Sequence, residues 1–256
     1  MTASRRIGEI AIGVLPIAAI LVAWHALAVS GVTPAALLPP PGTVFARLIQ
    51  QFGTLQYWEH AATTLFRLFS GFSIAVVIGV SLGVAATGSR AVEAIVKPLV
   101  RVLAPVPKVA LYPAMILILG FDDASKVALV VADAVFPILL ATWQGTSAVE
   151  PKLVWSARAA GCSQRRALFT VVLMAAMPSV LTGCRIGLII SCIVVFLAEM
   201  ITSTDGLGYL LVRAGRNFET VDMYVPLISI SILGLTLNAA FNALRAWLLR
   251  GFPEER

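Results

Sequence analysis

Two carboxylates interrupt stretches that are otherwise apolar: Asp133, between Ala132 and Ala134, and Glu199, within the triplet AEM. An isolated acid in hydrocarbon is costly and marks a polar pathway, a buried pair or a helix terminus. Glu199 precedes Thr202, Ser203, Thr204, Asp205 and a Gly206-Leu207-Gly208 turn, so it either anchors that turn or acts as a gate. Asp133 lies four residues before Pro137, where it either bonds backbone groups loosened by the proline or belongs to a path. Arg67 and Arg185 complete the charged candidates for a path or gate, and Arg185 is close enough to a span end to snorkel.

Covalent catalysis finds little support. Gly79-Val80-Ser81-Leu82-Gly83 matches the GxSxG of serine hydrolases, but that motif needs a strand-to-helix elbow and a histidine base. Here it lies inside an apolar run, and His25 and His60 are the chain's two histidines. Gly79 and Gly83 read instead as a small-xxx-small helix contact. No GxxxxGK[ST] phosphate loop occurs, so the chain is not expected to hydrolyse ATP. Cys162, Cys184 and Cys192 lack CxxC or histidine-linked spacing, which predicts no disulfide, no metal and no bound cofactor.

The most informative polar stretch runs through Trp155, Ser156, Ala157, Arg158, Ala159, Ala160, Gly161, Cys162 and Ser163. A short small-residue helix stops at Gly161, and Ser163 caps a second helix beginning at Gln164. Small side chains let a partner surface approach closely, while Arg158, Arg165 and Arg166 offer cations to acids on it. The alternative is a solvated amphipathic linker. Downstream, Ser179, Gly183, Gly187 and Ser191 recur every four residues, a face that packs either within the chain or against a second copy.

These groups must be positioned by a membrane bundle. Of 256 residues, 59% are hydrophobic and 12% charged, about half the charge of a soluble domain. Apolar runs of about twenty residues match a roughly 30 Å hydrocarbon layer, so the fold class is all-α, polytopic, with one domain over residues 1–256. Six spans are predicted at about 7–29, 62–88, 99–121, 125–143, 177–200 and 223–247, with a loop at about 144–176. The third is uncharged only over thirteen residues, Val109 to Phe121, so it must be broken or kinked near Pro105 and Pro107. The first follows Arg5 and Arg6 as a signal peptide would, but without a small-residue cleavage site it reads as retained.

The net charge of +6 does not indicate nucleic acid, because the cations sit between apolar runs rather than in a clustered patch. Placing both termini inside puts fourteen of the nineteen Lys and Arg on the cytoplasmic side, leaving Arg47, Arg67, Lys126, Arg213 and Arg216 toward the outside. Paired intramembrane ions in two inverted halves would mark an ATP-independent carrier or channel, and no such repeat is seen.

At the polar loop the sequence resembles the permease subunits of ATP-binding-cassette importers, whose EAA loop aligns here on Gly161. Ala157 matches its second alanine, Val171 and Leu173 its later apolar positions, and Pro178, Gly183 and Arg185 its continuation. Trp155, Ser156 and Met174 replace the usual glutamate, first alanine and first proline. LLPPPG, PLVRVLAPVP and AEM followed by GLG extend the likeness to the nitrate, sulfonate and taurine group. The resemblance implies an inner-membrane importer with a MetI-like fold: two permease copies, as a homodimer, two ATPase subunits holding ATP and magnesium, and an extracytoplasmic solute-binding protein. It implies a small organic or inorganic anion as solute, with thiamine precursors, riboflavin-like heterocycles and aromatic carboxylates as alternatives.

Overall fold

A computed structural model describes residues 3–32, 34 and 37–252. Arg256 and the side chains of Arg5 and Arg6, counted above on the inner side, lie outside the described part. Within it every element is helical: α1 Ala3–Val29, α2 Pro41–Phe52, α3 Leu55–Gly88, α4 Arg90–Leu103, a 3₁₀ turn Lys108–Leu111, α5 Tyr112–Leu119 and α6 Asp123–Ser147. There follow α7 Pro151–Ala159, α8 Gln164–Ala167, a π turn Leu168–Val172, α9 Leu173–Ala175, α10 Met177–Thr202, α11 Leu207–Arg216 and α12 Thr220–Leu248. Prolines open α2 and α7 and sit in the first turns of α5 and α10, where a missing N–H leaves no carbonyl unpaired.

Among the described residues α3, α6, α10 and α12 are long and apolar enough to cross a membrane, and Leu15–Val29 of α1 forms a shorter apolar helix. The break expected near Pro105 and Pro107 is present: the stretch forms two helical segments, α4 and Lys108–Leu119, bent by 86°. Pro105 and Pro107 bracket the bend; each removes a backbone donor and disfavours helix at the preceding residue.

Helix α6 is the centre of the bundle, sandwiched between two faces of small side chains. On one side α3 presents Gly71, Ala75, Gly79 and Gly83; a Cβ on Gly79 would stand 2.9 Å from the Cβ of Ile138. On the other, α10 presents Ser179, Gly183, Gly187 and Ser191. A Cβ on Gly183 would meet that of Ala141 at 2.6 Å, one on Gly187 would meet Ile138 Cγ1 at 2.8 Å, and Ser179 abuts Gly145. Ile138 is fully buried where the two faces converge. The four-residue repeat on α10 therefore packs within the chain, and the Ser191 hydroxyl donates to Gly187 O at 2.8 Å. By contrast α12 buries only Val225, Pro226 and Ser229 among its described side chains.

Candidate functional site

At the end of the bundle where α6 begins, four elements are tied by one guanidinium. His60, Thr64 and Arg67 are spaced four and three apart on one face of α3, just before its glycine stripe. Arg67 is 2% exposed. Its Nε donates to Asp123 Oδ1 at 2.6 Å, its Nη1 to Glu199 Oε1 at 2.9 Å and to the Asp205 carbonyl at 3.2 Å, and its Nη2 to Asp205 Oδ1. Glu199, with a fully buried side chain, also receives the Gly208 N–H at 3.0 Å and the Thr64 hydroxyl at 2.9 Å. Thr64 in turn accepts the Leu207 N–H, and His60 Nδ1 accepts the Gly206 N–H at 3.0 Å.

Of the two roles open to Glu199, this geometry is that of a turn anchor. Gly206 has φ +97°, and a Cβ there would collide with the Glu199 carboxylate, so glycine is required on both counts. Burial pushes the Asp205 carboxyl upward, but the Arg67 guanidinium against it outweighs burial and holds it below the usual carboxylate range. Arg67 has three carboxylates around it and is not free to receive an anion. Sequence reasoning missed Asp123, Asp205, Thr64 and His60; the signal was the spacing of His60, Thr64 and Arg67 ahead of Gly71.

Outside this cluster, Arg213 and Arg216 are exposed and form no ion pair among the described residues. Asp222 nearby is taken by Arg47 at 2.7 Å and Gln51 at 3.1 Å. Arg213 borders a cavity of about 400 Å³ that also holds Arg47, Gln51, His60, Glu219 and Asp222. It borders a second of about 310 Å³ with Glu199, Ser203, Tyr209 and Arg216.

Asp133 sits elsewhere, near the middle of α6, and does not bond backbone around Pro137. It pairs with Lys108 Nζ at 3.6 Å, and that ammonium donates to Ala104 O at 2.8 Å and stands 4.5 Å from the Phe136 ring centre. The pair fastens the α4–α5 bend to α6. Arg185 neither joins Asp133 nor reaches Glu199; its Nε donates to Asn238 on α12 at 2.8 Å.

The polar loop forms the other end. Helix α7 carries Trp155, Ser156, Ala157 and Arg158, buries none of its residues, and leaves Trp155 66% exposed. It closes on Ala160 and Gly161: Cys162 N–H bonds Ala157 O and Gly161 N–H bonds Arg158 O, both at 3.0 Å, with Gly161 at φ +86°. Ser163 then caps α8, its hydroxyl accepting the Arg166 N–H at 3.3 Å. Arg158, Arg165 and Arg166 are all exposed. A cavity of about 690 Å³ separates this helix-turn-helix from the ends of α3 and α6, lined by Thr87, Thr146, Pro151, Trp155, Gln164 and Leu168.

Residues 75–252 match the family described as binding-protein-dependent transport system inner membrane component. The chain is 28% identical over 242 residues to the taurine transport system permease protein TauC of Escherichia coli, covering 93% of this chain and 88% of that protein. It is 31% identical over 235 residues to an Escherichia coli protein named as an aliphatic sulfonates transport permease, SsuC, covering 91% and 89%. In structure it resembles a chain of the MetNI methionine ABC transporter in an inward-facing conformation. The TM-score is 0.60 at 21% identity, over 75% of this chain and 93% of that one, which establishes the fold.

Proposed function

Because the chain belongs to the family of binding-protein-dependent transport system inner membrane components, and is a membrane-embedded permease subunit of an ABC importer rather than an enzyme, we propose that it couples to its ATPase partners through Ser156–Arg166. The observation that carries this reading is the α7–α8 helix-turn-helix. It buries only Ala167, closes at Gly161, is edged by Arg158, Arg165 and Arg166, and is continuous through α9 with α10, which packs along α6. A partner that grips α7 moves α10, and with it the centre of the bundle, as a rigid body. ATP and magnesium belong to that partner; this chain contributes no phosphate loop.

In the same reading two copies of the chain form the path, a solute-binding protein delivers the solute at the end that carries Arg67, and both termini face the cytoplasm of a cell with an inner membrane. The cargo is a sulfonate, nitrate or similar small anion. Taurine and aliphatic sulfonate permeases among the relatives support that class, as do the unpaired Arg213 and Arg216 beside polar cavities.

Gentle extraction of the tagged chain from its own membranes tests the reading. An ATP-hydrolysing subunit co-purifies in equal copy number, and the variant Gly161→Val with Arg165→Glu releases it. A chain that emerges alone and moves solute in vesicles without ATP would overturn the proposal.

A further inference from the structure

Helix α4 has three faces, and two of them are accounted for. Val92, Val96 and Val100, four residues apart, face the bundle, where Val96 and Val100 are buried with Ala86 of α3 and Leu139 of α6. About 100° around the helix, Ile95, Leu99 and Val102 are half or more exposed and suit lipid chains. On the remaining side, opposite Leu99, stand Arg90, Lys97 and Arg101, all exposed and with no hydrogen bond or ion pair among the described residues. Glu93 flanks them, leaving the stripe a net two positive charges.

Depth decides what that stripe faces. Helix α4 starts two residues after α3 ends, where Gly88 lies beside Leu168 of the polar loop, and closes at Leu103, five residues before the Lys108 that pairs with Asp133 of α6. Val96 and Val100 are buried with Leu139, eight residues in from the end of α6, so Lys97 and Arg101 next to them in the chain lie at membrane depth rather than beyond it. Cations at that depth turn toward water-filled space, and α4 already turns its apolar side to lipid.

We infer that Arg90, Lys97 and Arg101 line the half of the solute path nearest the ATPase and form an electropositive wall that draws small anions through it. This deepens the importer reading above and rests on it. Rows of cations along a pore favour anions by the Coulomb attraction each adds in water. Lys108 is not part of the wall, because Asp133 and Ala104 already hold its ammonium.

The test uses the complex in inside-out membrane vesicles, with Cys162→Ser as background because Cys184 and Cys192 are buried. Single variants K97C, R101C and L99C are treated with a membrane-impermeant methanethiosulfonate bearing a sulfonate, and separately with one bearing a quaternary ammonium. The thiols of K97C and R101C react with both reagents, and that of L99C with neither. Adding K97Q to R101C lowers the sulfonate-to-ammonium rate ratio by about fourfold, as expected for a unit charge roughly 10 Å away in water, and adding R90Q, about 16 Å along the helix, lowers it by about twofold.

Equal labelling at all three positions, no labelling of K97C and R101C, or a ratio indifferent to R90Q and K97Q would overturn the proposal. So would a ratio that tracks the anionic-lipid content of the vesicles, which would put the stripe against headgroups. Failure of the ATPase to co-purify, with the labelling pattern intact, would instead count against the coupling reading.

Discussion

Replacing Arg67 with methionine keeps most of the side-chain volume and removes the charge that holds Asp123, Glu199 and Asp205 together. The three acids differ in what happens next. Asp123 and Asp205 are about half exposed, with side chains at 47% and 46%, so water replaces much of what they lose. The Glu199 side chain is at 0% and keeps only the Thr64 hydroxyl and the Gly208 N–H, leaving an uncompensated charge in a dry site. Removing one member of a buried pair costs about 3–5 kcal/mol, and that range is expected for Arg67→Met. Glu199→Gln should cost less, about 1–2 kcal/mol, because an amide oxygen still accepts from Gly208 and the guanidinium keeps two carboxylates. Combining Arg67→Met with Glu199→Gln should recover part of the loss, since the double variant no longer buries a lone charge. SDS-titrated unfolding of the four proteins in mixed micelles, followed by tryptophan fluorescence, gives the cycle. An Arg67→Met cost below about 1 kcal/mol, or a double variant as unstable as the sum of the two, would refute the account of Arg67 as the tie of this end.

Other outcomes follow from single positions. At Gly161, φ +86° with open space around it, Gly161→Val strains the backbone without a clash: the chain inserts at normal levels but loses its ATPase on co-purification, while Gly161→Asn, which tolerates a left-handed backbone, keeps it. Gly79→Val drives a side chain into Ile138 and costs about 1–3 kcal/mol in the SDS titration, whereas Gly42→Ala in α2 meets nothing within 4 Å and leaves the midpoint unchanged. Asp205 titrates below the ordinary carboxylate value, so its stabilisation is complete above about pH 4 and is lost as pH falls through the lowered value. Melting curves between about pH 6 and about pH 3 should show this acid loss in the native chain and a smaller one in Asp205→Asn. Neutralising Arg213 and Arg216 together should weaken ATP-driven uptake of alkylsulfonates at normal expression; unchanged uptake would remove these residues from the anion argument.

What the sequence reveals depends on the range of the physics involved. Apolar runs, the paired prolines at 105 and 107, and the Gly161–Ser163 stop and restart are local signals, and helix class, bend and capped turn were readable from them. The glycine stripes were equally legible as packing faces, because four-residue spacing fixes which side chains share a side. Which helix fills a stripe is a tertiary fact, and Ser179, Gly183, Gly187 and Ser191 left open a choice that Ile138 and Ala141 decide. The same holds for charges. Arg67 and Glu199 are each conspicuous in apolar surroundings, but a separation of 132 positions hides that each is the other's solution. Asp133 shows the opposite hazard: the nearby Pro137 suggested a local partner, while the ammonium that meets it comes from the far side of the α4–α5 bend.

The two ends of the bundle divide the work in a way the packing explains. Where α6 begins, a charge lattice rigidly joins α3, α6, α10 and the turn into α11, and the anchoring groups are buried. Where α6 ends, α7 and α8 bury almost nothing and rest over a cavity rather than on a core. Stability concentrated at one end suits the coupling proposed for the other, since a lever docked on a packed core would spend its motion on unpacking. In the proposed coupling, force applied at α7 would pass through α9 into α10 and meet α6 along Gly183 and Gly187, where backbones approach too closely for side chains to absorb the displacement. On that proposal, the glycines that let these helices touch are also what would make them move together.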